Sequence, residues 1–449
     1  MIILRIALNN LLASRRRTLF LGTALFLVTM LFVLLLALTA GVTDNLVRAA
    51  TNISSGHVNL GGYYKATPSD SQTIVTNVSQ LKQEAKEAIP DAVAIIDRMR
   101  GWGKIISEQG TVQAGLTGVD FNDEGALFSL LTLAPAKDYQ DDPKDREAVR
   151  GSFADVKKPG TIVLFASQAK RLKVDVGDAV TLRTETLKGQ SNTAEVTVVA
   201  VARDLGVLSS FASFIPKESI AELYQFKPDV SGVIQIEIKD YKKSTAAMNA
   251  LREHLKKKGY DQLDHEAQPF FIKLLQTVPA EDWTGAKLDV TTWEDEAAFL
   301  TQIITALRGI SIFLIMLLAI VIIVGITNTM TIAVRERTRE IGTLRAIGMN
   351  RGRVLSLFML EALLLGVMAS GAGGLVGALA ATGLDAAAVR IDIDAMRIVL
   401  LSDTLHLVAR GVDVVIAIVT LTAVTALAAF LPSLRAARIT PVSAMQTAE

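Results

Sequence analysis

The chain has 449 residues, is 50% hydrophobic, carries a formal net charge of +1 and contains no cysteine. Its positive mean hydropathy argues against an ordinary water-soluble protein, and its near-neutral charge against a nucleic-acid binder, which shows a basic footprint. Lack of cysteine removes disulfide and thiolate chemistry but leaves the compartment open. These averages conceal a division: apolar residues gather at the two ends, and every lysine lies between Lys65 and Lys287.

Residues 1–17 form a short segment ending in Arg15, Arg16 and Arg17, and residues 18–43 are an uncharged run. As a helix that run reaches about 39 Å, enough to span a bilayer with tilt. It far exceeds a signal-peptide core and no small-x-small site closes it, so it reads as an anchor. Residues 44–308 have the composition of a water-soluble domain. Strand-like alternation at 57–60, 112–119, 180–183, 194–201 and 233–238, with helical spacing at 78–89, 167–172, 217–224 and 244–257, predicts an α+β domain in two subdomains. The acidic stretch 138–143 reads as an exposed loop, and Pro228 as the return from an inserted subdomain. Thr292 before Glu294, Asp295 and Glu296 marks a helix start, with a threonine cap and acids in the first turn. From there the chain either runs as one helix into an uncharged span at 309–334, or passes through a short linker near Gly309.

Residues 335–353 are a charged connector, too short for a domain, before a third span at 354–384. That span contains Gly366, Gly373 and Gly377, and glycines four apart permit close approach of membrane helices. A polar loop at 385–413, a fourth span at 414–434 and a tail at 435–449 complete the chain. The predicted fold class is therefore integral membrane: four transmembrane α-helices with a large α+β extracytoplasmic domain between helices 1 and 2. Arginines at 15–17, the six between Arg335 and Arg353, and Arg435 with Arg438 all fall on one side of that topology. The positive-inside rule makes this side cytoplasmic, with both termini inside.

There is no Walker A pattern, G-x-S-x-G or H-E-x-x-H, and His57, His254, His265 and His406 lack ligand or triad spacing. Neither a catalytic nor a metal site is expected. Glu361 is the one acid inside a span, near enough to Arg353 to reach the interface or a partner helix. A proton relay would need several such groups. In the connector, Arg335 and Arg339 are four apart, as are Glu336 and Glu340, and Ile341, Leu344 and Ile347 add an apolar stripe. Gly348 is placed to end that helix. Spacing alone leaves two readings, an interfacial helix on lipid headgroups or a dock for a cytoplasmic protein.

Arg335 to Gly348 resembles the E-R-x-x-E-I-G-x-x-x-A-I-G stretch of the FtsX-like permease superfamily of ABC transporters, in its MacB and LolC/LolE group. Glu336, Arg337, Glu340, Ile341, Gly342, Ala346, Ile347 and Gly348 match it. Pro432 to Met445 is similar to the family's closing P-x-x-x-A-A-x-x-x-P-x-x-A pattern, and 162–164 through Gly177 and Asp178 to an element of its outer domain. This resemblance implies a non-catalytic permease working by mechanotransmission. Its connector (Glu336, Arg337, Glu340, Ile341, Gly342, Arg345, Ile347, Gly348) would be the coupling helix for an ATPase. MacB carries its ATPase fused at the N-terminus and this chain does not, which implies a separate cytoplasmic ABC ATPase in two copies, holding the ATP and Mg. It further implies a second permease chain, identical or paralogous, in the inner membrane, with a periplasmic adaptor, lipoprotein carrier or outer-membrane partner. The work implied is lipoprotein extraction or export of peptides and small molecules. The alternative is an FtsX-like regulator relaying ATPase motion to a cell-wall hydrolase. A secondary transporter is disfavoured by the lack of intramembrane polar sites and inverted repeats.

Overall fold

In a computed structural model of the chain, residues 2–67, 70–186, 189–206, 209, 212–389 and 404–441 are described. The chain divides into two compact units, one of Met1–Asp44, Ile304–Ile391 and Asp403–Glu449, the other centred on Asn45–Ile303. Helix α1 (Ile2–Ala13) precedes α2 (Arg15–Ala49), which closes in one π-turn over Ala50–Ser54.

The strands of the second unit are β1 (Val58–Thr67), β2 (Asp70–Gln72), β3 (Val75–Thr76), β4 (Ala92–Ile106), β5 (Thr111–Val119) and β6 (Thr161–Phe165). Then come β7 (Ala179–Glu185), β8 (Ser191–Ala202), β9 (Ala212–Pro216), β10 (Val230–Ser231), β11 (Val233–Ile238) and β12 (Gly285–Thr292). Between them lie α3 (Val78–Ala88), α4 (Gly125–Leu130), α5 (Ala166–Leu172), α6 (Lys217–Tyr224), α7 (Ser244–Lys257), α8 (Phe270–Leu275) and α9 (Thr277–Ala280).

The sheet order is β12-β1-β11-β4-β5-β9-β6-β8-β7, and β4 also pairs with β7. That last pairing closes β4, β5, β9, β6, β8 and β7 into a ring. The long strand β4 serves both halves of the domain. Its first half (Ala92 to Arg98) pairs with β11 and its second half (Met99 to Ile106) with β5. Each half has its own core. One gathers Leu60, Leu81, Ile234, Ile236 and Leu251 beneath α3 and α7, and the other Ile105, Leu116, Ile162, Leu182 and Val198 inside the ring. Pro228 lies between the last helix of the ring, α6, and β10. Period-2 alternation fails in β4 because its buried face changes where it passes between partners. Gly101 and Gly103 interrupt the pattern further. A Cβ at Gly101 would lie 2.7 Å from the Tyr224 ring, and one at Gly103 2.9 Å from the Arg183 carbonyl.

Strand β1 enters the domain beside β12, which leaves it, with Val58 opposite Thr292. At Thr292 a capping box forms: its Oγ1 accepts from Asp295 N, and its own N–H donates to the Asp295 carboxylate. The short helix α10 (Trp293–Glu296) is cut at Ala297 (φ −106, ψ 36), and α11 then runs unbroken from Ala298 to Glu336. The interruption expected as one alternative near Gly309 is therefore absent, and the uninterrupted start expected at Thr292 is corrected by one residue outside helical geometry.

Helix α12 (Thr338–Ala346), α13 (Arg351–Ala386) and α14 (Gly411–Arg438) follow. Thr18–Ser54, α11, α13 and α14 are long and apolar enough to cross a membrane. Small residues on α13 settle its packing. A Cβ on Gly373 would collide with the Phe26 carbonyl of α2, and one on Gly377 would lie 3.0 Å from the Met30 carbonyl. Gly366 faces Thr422 of α14 instead, and Ser370 Oγ is 3.1 Å from Thr422 Oγ1. Pro432 inside α14 has no N–H, so the carbonyl of Ala428 lacks its helical donor. The Thr327 hydroxyl of α11 donates to that carbonyl at 3.1 Å. Of the loop expected at 385–413, residues 390–403 lie outside the described residues, as do residues 442–449 of the tail.

Candidate functional site

The connector is built by one break and one glycine. Helix α11 ends at Glu336, Arg337 leaves helical geometry (φ −99, ψ 14), and α12 begins at Thr338. It ends at Ala346, and Gly348 beyond it has a φ of +105°, a left-handed conformation that glycine adopts without a Cβ clash. Asn350 then caps α13, its side-chain oxygen accepting from Arg353 N at 2.8 Å.

Residues of the sequence-predicted site divide between two faces. Arg337, Ile341, Gly342 and Arg345 turn inward. Arg337 Nη1 donates to Glu361 Oε1 of α13 at 3.0 Å, and its Nη2 to the Asn10 carbonyl of α1 at 3.4 Å. The Asn10 side chain donates to the same Glu361 oxygen at 2.6 Å. Glu361 is 3% exposed as a side chain and Arg337 15%, so the one acid within a span is a partner for the connector. Arg337 is likewise a largely buried charge.

Ile341 is buried among Val334, Val354, Phe358, Ala436 and Ala437. Arg345 Nη1 donates to the carbonyls of Ala437 at 2.9 Å and Ile439 at 3.1 Å. The connector motif and the tail motif, nearly a hundred residues apart in sequence, thus meet in space. Glu336, Glu340, Ile347 and Gly348 are exposed, together with Arg335, Arg339 and Thr343. Ile347 is 81% exposed, far more than an apolar side chain has to be beside a buried stripe. The connector is therefore a two-faced plate, anchored on α1, α13 and α14 and carrying charges and one isoleucine outward.

Nothing in this plate has the geometry of a nucleophile with its base, or of a metal cage. Elsewhere, Glu84, Glu87 and His254 come together between α3 and α7, with His254 Nε2 2.6 Å from Glu84. Lys258 Nζ lies 3.2 Å from Glu84 and 3.6 Å from Glu87, so an ammonium already serves as their counter-charge.

Residues 312–441 match the family described as FtsX-like permease C-terminal. The family match is thus confined to the C-terminal part of the chain, which resembles an FtsX-like permease there. The chain is 32% identical over 122 residues to the macrolide export ATP-binding/permease protein MacB of Agrobacterium fabrum, covering 27% of the chain and 17% of that relative. It is 39% identical over 80 residues to the ABC transporter permease YknZ of Bacillus subtilis, covering 18% of the chain and 17% of that relative. The chain thus matches 17% of the length of each of these relatives. Among solved structures, the periplasmic region of MacB from Actinobacillus actinomycetemcomitans overlaps 58% of this chain and 97% of its own, at 14% identity and a TM-score of 0.30. So loose an overlap carries no argument about fold.

Two groups at this site lay beyond sequence reasoning. Asn10 sits in a segment with no periodic signal pointing to α13, and the Ala437 and Ile439 carbonyls are backbone atoms without a residue signature. Glu361 did carry one, being the lone acid in a span.

Proposed function

We propose that this chain is the permease subunit of an ATP-driven ABC transporter that works by mechanotransmission. An ATPase docks on the outward face of the connector, and its closing and opening move α11 and α13 together. Helix α11, about 58 Å long at 1.5 Å per residue, carries that movement toward the paired strands β1 and β12. The work is done on material outside the membrane, of the class covered by lipoproteins, peptides and small molecules; macrolides, for whose export MacB is named, belong to that last class. A second permease chain completes the unit, both termini are cytoplasmic, and the chain itself carries out no chemistry.

One observation supports the reading above the others. Arg337, Ile341 and Arg345 tie the connector to three other helices, while Arg335, Arg339, Glu340 and Ile347 remain outside. A headgroup-binding helix would need no such anchorage, because it would only have to float at the interface.

The test is a double substitution on the outward face, Arg339→Glu with Ile347→Asp, in the full chain purified from native membranes in mild detergent. ATP hydrolysis co-purifying with the chain is expected to fall by about tenfold or more, the scale of losing a docking hot spot, with the thermal midpoint unchanged. Equal ATPase recovery from variant and native chain would sink the docking claim. Recovery of a cell-wall hydrolase without any carrier or exported substrate would favour the regulatory role instead.

A further inference from the structure

The domain spanning Asn45–Ile303 holds a cavity of about 1140 Å3 where β4 passes from the open sheet into the ring. This exceeds the roughly 300–1,000 Å3 of ordinary small-molecule pockets. Its walls come from β4, β5, the end of β7, α8 and the Glu296–Leu300 turn. Four large apolar side chains stand open along it: Trp102 (50% exposed), Phe271 (49%), Phe299 (55%) and Leu275 (72%).

The charges lining the cavity are unequal. Among the described residues, Arg98, Arg100, Lys104 and Arg183 face only Glu185 and Glu296. Arg98 makes four hydrogen bonds, two to Glu124 and one each to the carbonyls of Asn52 and Ile53. Arg183 Nε donates to Ser191 Oγ at 3.1 Å. Arg100 differs. Its side chain is only 11% exposed and its guanidinium lies 4.0 Å from the Phe270 ring centre. Its Nη2 has no hydrogen-bond partner among the described residues. Glu296 Oε2 is 3.9 Å from that nitrogen, outside hydrogen-bonding distance, and accepts from Phe270 N instead. Burial lowers the pKa of Arg100 and raises that of Glu296, and the charge of each opposes the shift of the other.

A buried charged donor left unpaired is costly, on the order of 1–3 kcal/mol or more. Stacking on Phe270 holds the guanidinium but supplies no acceptor. An anionic oxygen arriving from the cavity would supply it, and the remaining walls would cover an apolar body.

We infer that this cavity binds an anionic amphiphile with a single carboxylate head, the head accepting from Arg100 Nη2 and the apolar chain lying along Trp102, Phe271, Leu275 and Phe299. The site belongs to the sheet domain alone and does not depend on docking of an ATPase. Lys104, exposed on the same strand, adds long-range attraction for the head.

The experiment uses the full chain in phosphatidylcholine nanodiscs with a photoactivatable sixteen-carbon carboxylic acid and, in parallel, its methyl ester. Labelled positions are mapped by mass spectrometry. Labelling by the acid is expected to concentrate on α8 and the Glu296–Leu300 turn and to be competed by unlabelled palmitate. It should fall by about tenfold in Arg100→Gln, the value of one charge-assisted hydrogen bond. Leu275→Glu, at an exposed position, places a like charge in the cavity and is expected to lower labelling comparably, so the question stays decidable if Arg100→Gln fails to fold. Equal labelling by acid and ester, or labelling spread along the apolar spans and insensitive to Leu275→Glu, overturns the assignment.

Discussion

Two buried arginines, one in each unit, hold the ends of long helices in different ways. In the sheet domain, Arg98 meets Glu124 through two nitrogens, at 2.5 and 2.6 Å, and donates twice more, to the carbonyls of Asn52 and Ile53 in the π-turn that ends α2. In the helical unit, Arg337 reaches Glu361 through one nitrogen at 3.0 Å and the Asn10 carbonyl at 3.4 Å. The first is a closed fork in which each of the three guanidinium nitrogens has a partner, which makes a rigid joint. The second is a longer contact in which Asn10 shares the acceptor. A joint that passes motion on without yielding belongs where a helix enters a sheet. A looser one would suit the connector of the proposed function, which shifts when a docked ATPase pulls on it.

Breaking the tighter joint should cost most. Arg98→Met leaves Glu124 buried and unpaired, and a loss of about 4 kcal/mol in stability is expected. Thermal unfolding of the full chain checks this, and adding Glu124→Gln should restore a large part. If the single variant is as stable as the native chain, Arg98 is not the anchor described here.

Arg337→Met tests the looser joint. With 15% exposure, a longer contact and Asn10 still donating to Glu361, the expected loss is about 2 kcal/mol, below the figure for a fully closed buried pair. A double-mutant cycle with Glu361→Gln measures the coupling directly. Coupling equal to that of Arg98 with Glu124 would erase the proposed contrast.

The smallest effect concerns a charge that is buried but reached from solvent. Asp97 lies beside Arg98 on β4, and Lys217 and Lys82 pair with it. Burial alone would raise its pKa, but hydrogen bonds from Lys217 and then Lys82 outweigh burial and lower it. Because the folded pKa lies below the unfolded one, the stabilisation is complete above about pH 4, the ordinary aspartate range. It is lost as pH falls through the folded value. The thermal midpoint of native protein should therefore drop on acidification below pH 4 by more than that of Asp97→Asn. Identical pH profiles for the two would remove Asp97 from the account.

Much of this architecture was legible in one dimension. Strands at 112–119, 180–183, 194–201 and 233–238, helices at 78–89, 167–172, 217–224 and 244–257, and the cap at Thr292 all appear close to where spacing put them. Each depends on periodicity or on a neighbour within four residues. Strand β4 escaped because its alternation changes face in mid-strand, and the sequence contains no mark of its second partner. The candidate site was legible as a segment but not as faces. Arg337 and Arg339 are two residues apart and look alike in sequence, yet the break at Arg337 turns one toward Glu361 and leaves the other outside.

By itself, then, the sequence determined the apolar runs, the charged connector between two of them, and the glycines that let α13 approach its neighbours. Composition and local spacing suffice for those. Only the tertiary structure decided which helix each glycine meets, that Glu361 answers Arg337, that the tail's carbonyls hold Arg345, and that Arg100 is left without an acceptor. Each of these is a meeting of atoms far apart along the chain, set by how the elements pack.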